Sequence, residues 1–163
     1  MDWVKLTEQP NQQVFTELEF YLWEVRLEPS TEWWPEIMFN GSEKALAIMR
    51  DAVQSMREEF KMKGESTRKF LCNPPENIDV QRFAKENDAE IEWQIWLILR
   101  MEPGVTVDMP HEIKNKAVTI RLNDQLAAEL VKVLDEYLAP GAIHQEGLIA
   151  PGRLLLSLDW LGY

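Results

Sequence analysis

The chain has 163 residues, of which 45% are hydrophobic and 28% charged, a composition typical of one globular domain with a single core. Its net charge of -11 argues against DNA or RNA as a partner, because nucleic-acid binding needs a phosphate-neutralising surface. The single cysteine excludes an internal disulfide, and neither a secretory pattern nor an apolar run of ~18 residues is present. We therefore expect an acidic, soluble protein of the cytoplasm without a membrane span.

In chain order, the first half predicts a strand–strand–helix–strand unit. Its elements are strands over 18–28, 37–40 and 68–73, with a helix over 42–63 before the last strand. Pro35 precedes the second strand and predicts an edge position for it, because proline cannot donate to a sheet ladder. Ser42 is the expected N-cap of the helix, and Gly64 its C-terminal stop. A further short helix is predicted over 77–87.

The second half predicts the same order of elements. They are strands over 91–101, 117–122 and 153–160, with a helix over 124–138. Apolar residues alternate without a break from Ile91 to Met101, which predicts one long strand with a core face. The opposite face is polar at both ends and apolar at Trp96 and Ile98, so a helix, a partner or a ligand is expected to cover its middle. Residues 103–116 are predicted to form a loop.

The two halves also share a short motif. Each first strand ends in Arg-x-Glu-Pro, starting at Arg26 in one half and at Arg100 in the other. The motif favours a duplicated β-β-α-β unit with halves 17–75 and 90–163, although chance explains it equally well. Both explanations predict a single α+β domain over 1–163. We expect two layers, with a mixed, mostly antiparallel sheet and helices mainly on one face.

The sequence contains no recognisable catalytic or cofactor motif. Glycine-rich phosphate loops and the Gly-x-Ser-x-Gly elbow are absent. His111 and Glu112 begin a zinc-protease pattern, but Asn115 stands where its second histidine is needed. We therefore predict no metal and no cofactor, and no small-molecule ligand can be named. If the protein is an enzyme or a small ligand-binding domain, the candidate site is His111, Glu112, His144 and Glu146, with Arg100 nearby.

Binding is the alternative that the sequence favours. Trp33 and Trp34 are adjacent in a predicted turn, and tryptophan is enriched at recognition hot spots; the alternative is that one indole covers the open sheet face and the other packs on Pro29 or Pro35. Trp96 lies on the strand face that should otherwise be wet. Arg26 and Arg100, each with a glutamate two residues later, are candidates for binding an anion, or else ordinary solvated ion pairs. We therefore expect a non-catalytic protein-binding or regulatory domain whose partner is another protein or a second copy in a homodimer. One local basic patch, at Arg68 and Lys69, is the only feature that favours nucleic acid.

Overall fold

The computed structural model describes residues 13–18, 20–26, 37–73, 90–105, 111–139, 147–149 and 154–157. Within this part of the chain the strands are β1 (Val14–Phe15), β2 (Phe20–Arg26), β3 (Ile37–Gly41), β4 (Ser66–Leu71), β5 (Glu90–Trp93), β6 (Trp96–Met101), β7 (His111–Lys114), β8 (Ala117–Leu122), β9 (Gly147–Ile149) and β10 (Leu154–Ser157). The helices are α1 (Glu43–Lys63) and α2 (Asp124–Leu138). The predicted α+β class is confirmed.

The strands form two five-stranded sheets, where the sequence predicted one. Sheet A has the order β1-β4-β6-β8-β7, and sheet B has the order β5-β2-β3-β10-β9. Both sheets are mixed. Three described pairs are parallel (β1 with β4, β6 with β8, β3 with β10), and the other five are antiparallel. The prediction of a mixed, mostly antiparallel arrangement fits the described pairs taken together and sheet B, whereas sheet A has two parallel and two antiparallel pairs.

The second sheet arises because the predicted strand over 91–101 is broken in its middle. β5 belongs to sheet B and β6 to sheet A. Between them, the Gln94 N–H donates to the Leu22 carbonyl of sheet B at 2.8 Å, and the Ile95 N–H donates to the Lys116 carbonyl beside β8 at 2.7 Å. The chain therefore changes partners between two consecutive residues. Apolar alternation continues across this point, so the sequence pattern gives no sign of the break.

Three phenylalanines fill the junction where the sheets meet. The rings of Phe15 and Phe70 are stacked at 5.0 Å, and the Phe20 ring meets Phe70 edge-on at 5.5 Å. Phe15 and Phe70 belong to sheet A, whereas Phe20 begins β2 of sheet B. The Asn73 N–H, just beyond β4, donates to the Phe20 carbonyl at 2.7 Å. All three rings are fully buried, so aromatic packing joins the two sheets here.

Both helices begin and end as the sequence predicts. The Ser42 hydroxyl accepts a hydrogen bond from the Ala45 N–H at 3.1 Å, and Gly64 ends α1 in the left-handed region at φ 80°. At α2 the Asn123 side chain accepts from the Leu126 N–H at 2.8 Å. The helices pack against each other and cover one face of sheet A; α1 also contacts β3, and α2 contacts β9. Each helix therefore connects a strand of one sheet to a strand of the other.

Several local predictions need correction or stay open. β3 lies between β2 and β10 and is not an edge strand, because its pairing starts at Ile37, after Pro35. The predicted loop over 103–116 contains β7, which turns into β8 through Asn115 and Lys116 at φ 53° and 63°, a tight hairpin turn with both residues left-handed. The helix predicted over 77–87 lies outside the described residues. The duplication stays a prediction: β2 and β3 are antiparallel, while their counterparts β6 and β8 are parallel.

Candidate functional site

The face of sheet A opposite the helices, here called the outer face, carries the clearest candidate site. The core face of the sheet is buried: along β6 the side chains of Leu97, Leu99 and Met101 are inaccessible to water. Strand pairing arranges the outer-face residues in three rungs, each crossing β6 at one residue. The rungs are Leu71, Trp96, Ala117 and Lys114; Val14, Lys69, Ile98, Thr119 and Glu112; and Thr67, Arg100 and Arg121.

The middle of the outer face is apolar and faces solvent. Trp96, Ile98 and Leu71 are all half-buried, so part of each side chain is accessible to water. Val14, in the same rung as Ile98, is 44% exposed, one of two large hydrophobic side chains in the described part of the chain that are that open. The Trp96 and Ile98 patch expected from the sequence is therefore present, and Leu71 and Val14 extend it across three strands.

One end of the outer face is cationic, in a chain whose net charge is negative. Arg121 is clamped by two carboxylates: its Nε lies 3.0 Å from Glu102 Oε1, and its Nη2 lies 4.0 Å from Glu112 Oε2. Arg100 is half-buried beside Arg121, and within the described residues no carboxylate lies within ion-pairing distance of it. Lys69 is exposed next to Ile98. The basic side chains of the face therefore outnumber the acidic ones.

The predicted pairing of Arg100 with Glu102 is wrong. Both belong to the end of β6, but Glu102 binds Arg121 of the neighbouring strand. Arg26 ends β2 of sheet B, so the two arginines of the repeated motif belong to different sheets. The side chain of Arg26 and all of Glu28 lie outside the described part of the structure. A symmetric pair of Arg and Glu groups lining one cleft is thus not a feature of the described residues.

The other predicted site residues are only partly described. Four lie outside the described part of the chain: Trp33, Trp34, His144 and Glu146. His111 begins β7, where its backbone alone is described. Glu112 is exposed on the outer face, and its carboxylate belongs to the Arg121 cluster. The proposed grouping of both histidines with both glutamates therefore stays a prediction.

Arg68 turns away from the outer face and into the core, which corrects the predicted basic patch. Its side chain is 1% exposed and lies between β4 and α1. The guanidinium donates to Glu59 Oε1 at 3.2 Å, to the Ser66 hydroxyl at 3.1 Å and to the Ser55 hydroxyl at 3.3 Å. Its Nε has no hydrogen-bond partner among the described groups. Only Lys69 of the predicted pair reaches solvent.

The Glu59 carboxylate is the counter-charge of this buried arginine. The Ser66 hydroxyl donates to it at 2.7 Å, and this hydrogen bond, assisted by Arg68, holds the pKa of Glu59 below its ordinary value. Helical spacing alone would put Glu59 on the side of α1 away from its core face, next to Lys63. Instead its side chain is 24% exposed and reaches over the start of β4. The cluster is a structural ion pair, since its charges satisfy each other inside the fold.

Neither thiol chemistry nor a metal centre is evident in the described residues. Cys72 is 3% exposed, and burial raises the pKa of its thiol to about 12, as expected for a small core residue. The described segments contain no cluster of three or more histidine, cysteine or carboxylate side chains placed to hold a metal ion. Neither described helix combines the length and the apolar character needed to cross a membrane.

The alternation of side chains along each strand predicts part of the outer face from the sequence alone. The alternation of Val118, Ile120 and Leu122 already puts Arg121 on the face opposite the core. Alternation does not specify which strands pair, however. Without the pairing, Arg121, Leu71 and Val14 cannot be assigned to the same surface as Trp96. Pairing of β4, β6 and β8 supplies that information.

Comparisons with known proteins assign no family. No family model and no curated protein matches the chain. Among solved structures it is similar to the crystal structure of Drosophila Suppressor of Fused, with a TM-score of 0.42 and 13% sequence identity. That match covers 75% of this chain but only 24% of the Drosophila chain. A likeness at this level leaves both family and function open.

Proposed function

We propose that this protein is a non-catalytic binding domain whose outer face docks another protein. The observation that carries the proposal is the apolar patch of Trp96, Ile98 and Leu71 on a sheet face that the helices leave uncovered. Apolar groups on an otherwise polar surface gain free energy when a partner removes them from water. Tryptophan and arginine are also the side chains most enriched among residues that dominate binding energy, and both lie on this face.

Charge favours a different, acidic protein over a second copy of this chain. In a homodimer that stacks two outer faces with their cationic ends together, Lys69 and Arg100 would approach the same cations of the other copy. Like charges brought together across an interface are costly, and they suppress that pairing. A partner with carboxylates around an apolar centre would complement both features of the face. The homodimer expected as an alternative therefore becomes one outcome of the test.

The test removes the apolar patch while keeping the strand. Thr is β-branched and of similar shape to Ile, so Ile98→Thr combined with Leu71→Thr should preserve β4 and β6. Affinity capture from the source cell, followed by purified binding measurements, should lose the partner with this double variant. The matched control is Met62→Thr, which removes the 85% exposed side chain of Met62 from α1, in the other layer. Undiminished binding by the double variant, at an unchanged melting temperature, would refute the proposal.

Sedimentation of the purified protein separates the two kinds of partner. A monomer whose partner binding needs Ile98 supports the proposal. A dimer that dissociates in the Ile98→Thr and Leu71→Thr variant would instead show that a second copy covers the outer face. That result would contradict the preference for a different, acidic protein.

Trp33 and Trp34 are proposed as a second contact of the same domain. Their adjacency in the sequence supports this, since two neighbouring aromatic residues in a turn rarely both enter a core. Trp33→Ala and Trp34→Ala should weaken partner binding and leave the melting temperature nearly unchanged. A large loss of stability in both variants would mean that the two indoles are core residues, which would remove this part of the proposal.

A further inference from the structure

Arg100 differs from the other arginines with described side chains in having no carboxylate beside it. Arg50 binds Asp135 at 2.8 Å, Arg57 binds Asp124 at 2.9 Å, and Arg68 and Arg121 bind glutamates. Arg100 is half-buried, its rung neighbours are Thr67 and Arg121, and no hydrogen bond or ion pair of its guanidinium occurs within the described residues. Arg100 is therefore partly exposed, and its charge has no counter-charge within the described residues.

The position of Arg121 makes this arrangement more costly. Arg100 and Arg121 lie in register on the adjacent strands β6 and β8, which in a sheet are about 4.8 Å apart. Like charges directly opposite each other destabilise a sheet. Glu102, the nearest carboxylate along β6, is used by Arg121 and does not compensate Arg100. Both carboxylates of this cluster, Glu102 and Glu112, lie on Arg121, so Arg100 is the arginine of the rung that a bound carboxylate would pair.

We infer that Arg100 is the anchor for an aspartate or glutamate side chain of the partner protein, an inference that rests on the proposed function of the outer face. A guanidinium binds a carboxylate through two parallel, charge-assisted hydrogen bonds, which are stronger and more directional than neutral ones. Arg121 is already held by two carboxylates and is not available to a partner in the same way. Arg100 is therefore the specificity-determining residue, and the apolar patch supplies the adjoining contact area.

The strand geometry defines the spacing that the partner must present. Ile98 and Arg100 are two residues apart on the same face of β6, a separation of roughly 7 Å along an extended chain. An extended partner segment meets this spacing when an apolar residue and an acidic residue alternate on one of its faces. The expected recognition element is thus an acidic residue two positions from a large apolar one, lying across the rungs of Ile98 and Arg100.

Selection from a phage-displayed library of random peptides tests the inference and does not require the partner to be identified first. Wild-type protein should enrich peptides with an acidic residue next to apolar ones. Synthetic versions of these peptides should lose about tenfold to hundredfold in affinity for Arg100→Gln, the range expected for a hydrogen bond to a charged group. Their affinity should also fall with added salt. Lys132→Gln removes an exposed cation from α2 and should leave binding unchanged.

The outcomes distinguish the proposed role of Arg100 as an anchor from the proposed role of the outer face as a docking surface. Peptides that need Ile98 but contain no acidic residue, or bind Arg100→Gln as tightly as wild type, would overturn the anchor and leave the docking face intact. Peptides that bind independently of Ile98, or no enrichment at all, would overturn the docking face and the anchor with it. A matching thermal unfolding midpoint for Arg100→Gln and wild type excludes loss of folding as the cause of lost binding.

Discussion

The buried pair of Arg68 and Glu59 predicts that two substitutions at one contact have very different costs. Arg68 is 1% exposed, whereas the side chain of Glu59 is 24% exposed. Glu59→Ala leaves a guanidinium in the core without a counter-charge. Arg68→Met replaces the buried charge by an apolar side chain of comparable length. The Glu59 carboxylate that remains is reached by water and still accepts a hydrogen bond from Ser66. We expect Glu59→Ala to be the more destabilising change.

The difference in burial between Arg68 and Glu59 determines how much unfolding free energy each substitution removes. Removing one partner of a buried ion pair costs about 3–5 kcal/mol, because the remaining charge stays buried and unpaired. The low end, about 3 kcal/mol, applies to Glu59→Ala, since deleting a partly exposed side chain lets water approach Arg68. Arg68→Met leaves behind only Glu59, whose carboxylate is 24% exposed and still accepts a hydrogen bond from Ser66, so this change should cost less, about 1 kcal/mol. A gap of about 2 kcal/mol is roughly a thirtyfold difference in the unfolding equilibrium.

Urea unfolding followed by far-ultraviolet circular dichroism measures both free energies, and equal slopes for all variants show that the same surface is exposed on unfolding. Glu58→Ala is the control, because Glu58 is an exposed neighbour on the same helix and should change stability by less than about 0.5 kcal/mol. If Arg68→Met proves as destabilising as Glu59→Ala, or more so, the reasoning from burial is refuted. That result would mean that the hydrogen bonds and packing of Arg68 outweigh the cost of its charge.

The same pair contributes to acid sensitivity, with a sign that follows from the lowered pKa of Glu59. A carboxyl whose pKa is lower in the folded state adds stability that is fully present above its ordinary value of 4.5. This stability is lost as the pH falls through the folded-state pKa. Glu59→Gln should therefore flatten the decline of the unfolding free energy below that value. Part of the decline should remain, because Arg57 also lowers the pKa of Asp124.

Three further predictions concern single residues. Gly64→Ala should cost about 1 kcal/mol or more of unfolding free energy, because an L side chain is strained at φ 80°, and an unchanged urea midpoint would contradict this. Gln94→Met should leave stability unchanged or raise it by about 1 kcal/mol, because the buried Oε1 of Gln94 has no hydrogen-bond partner within the described structure; a clear loss would mean that this oxygen is satisfied in solution. The Cys72 thiol, with its pKa raised to about 12, should react with a disulfide reagent at about pH 8 only after urea unfolds the protein, and fast labelling of native protein would show that this region opens.

Local signals predicted the helices well. The cap at Ser42 and the stop at Gly64 each act within one helical turn, so the residues that determine them are neighbours in the sequence. The inward face of α2 follows in the same way from helical spacing: Leu126, Leu130 and Leu134 are all buried. Such features depend on a few residues at fixed distances, and a single sequence contains all of that information.

Sheet membership depends on contacts that a single sequence does not contain. The apolar alternation of 91–101 runs through the break unchanged, although in the structure Gln94 is 1% exposed and its apolar neighbours Trp93 and Ile95 are only partly buried. The sequence pattern therefore does not report the change of sheet. What separates β5 from β6 is the choice of partners, Leu22 on one side and Lys116 on the other, far away in the chain. A pattern with period two cannot encode that choice.

The candidate site combines both kinds of information, which explains why the sequence found only part of it. Trp96 and Ile98 were predicted because the alternation of side chains along one strand puts them opposite the core. The isolation of Arg100 could not be predicted, because its own strand supplies a glutamate two residues later and the sequence pairs them. Only the register of β6 with β8 gives Glu102 to Arg121 and leaves Arg100 uncompensated. The feature that most favours an acidic partner is therefore a consequence of strand pairing, and its test is whether the carboxylate missing from Arg100 is supplied by another protein.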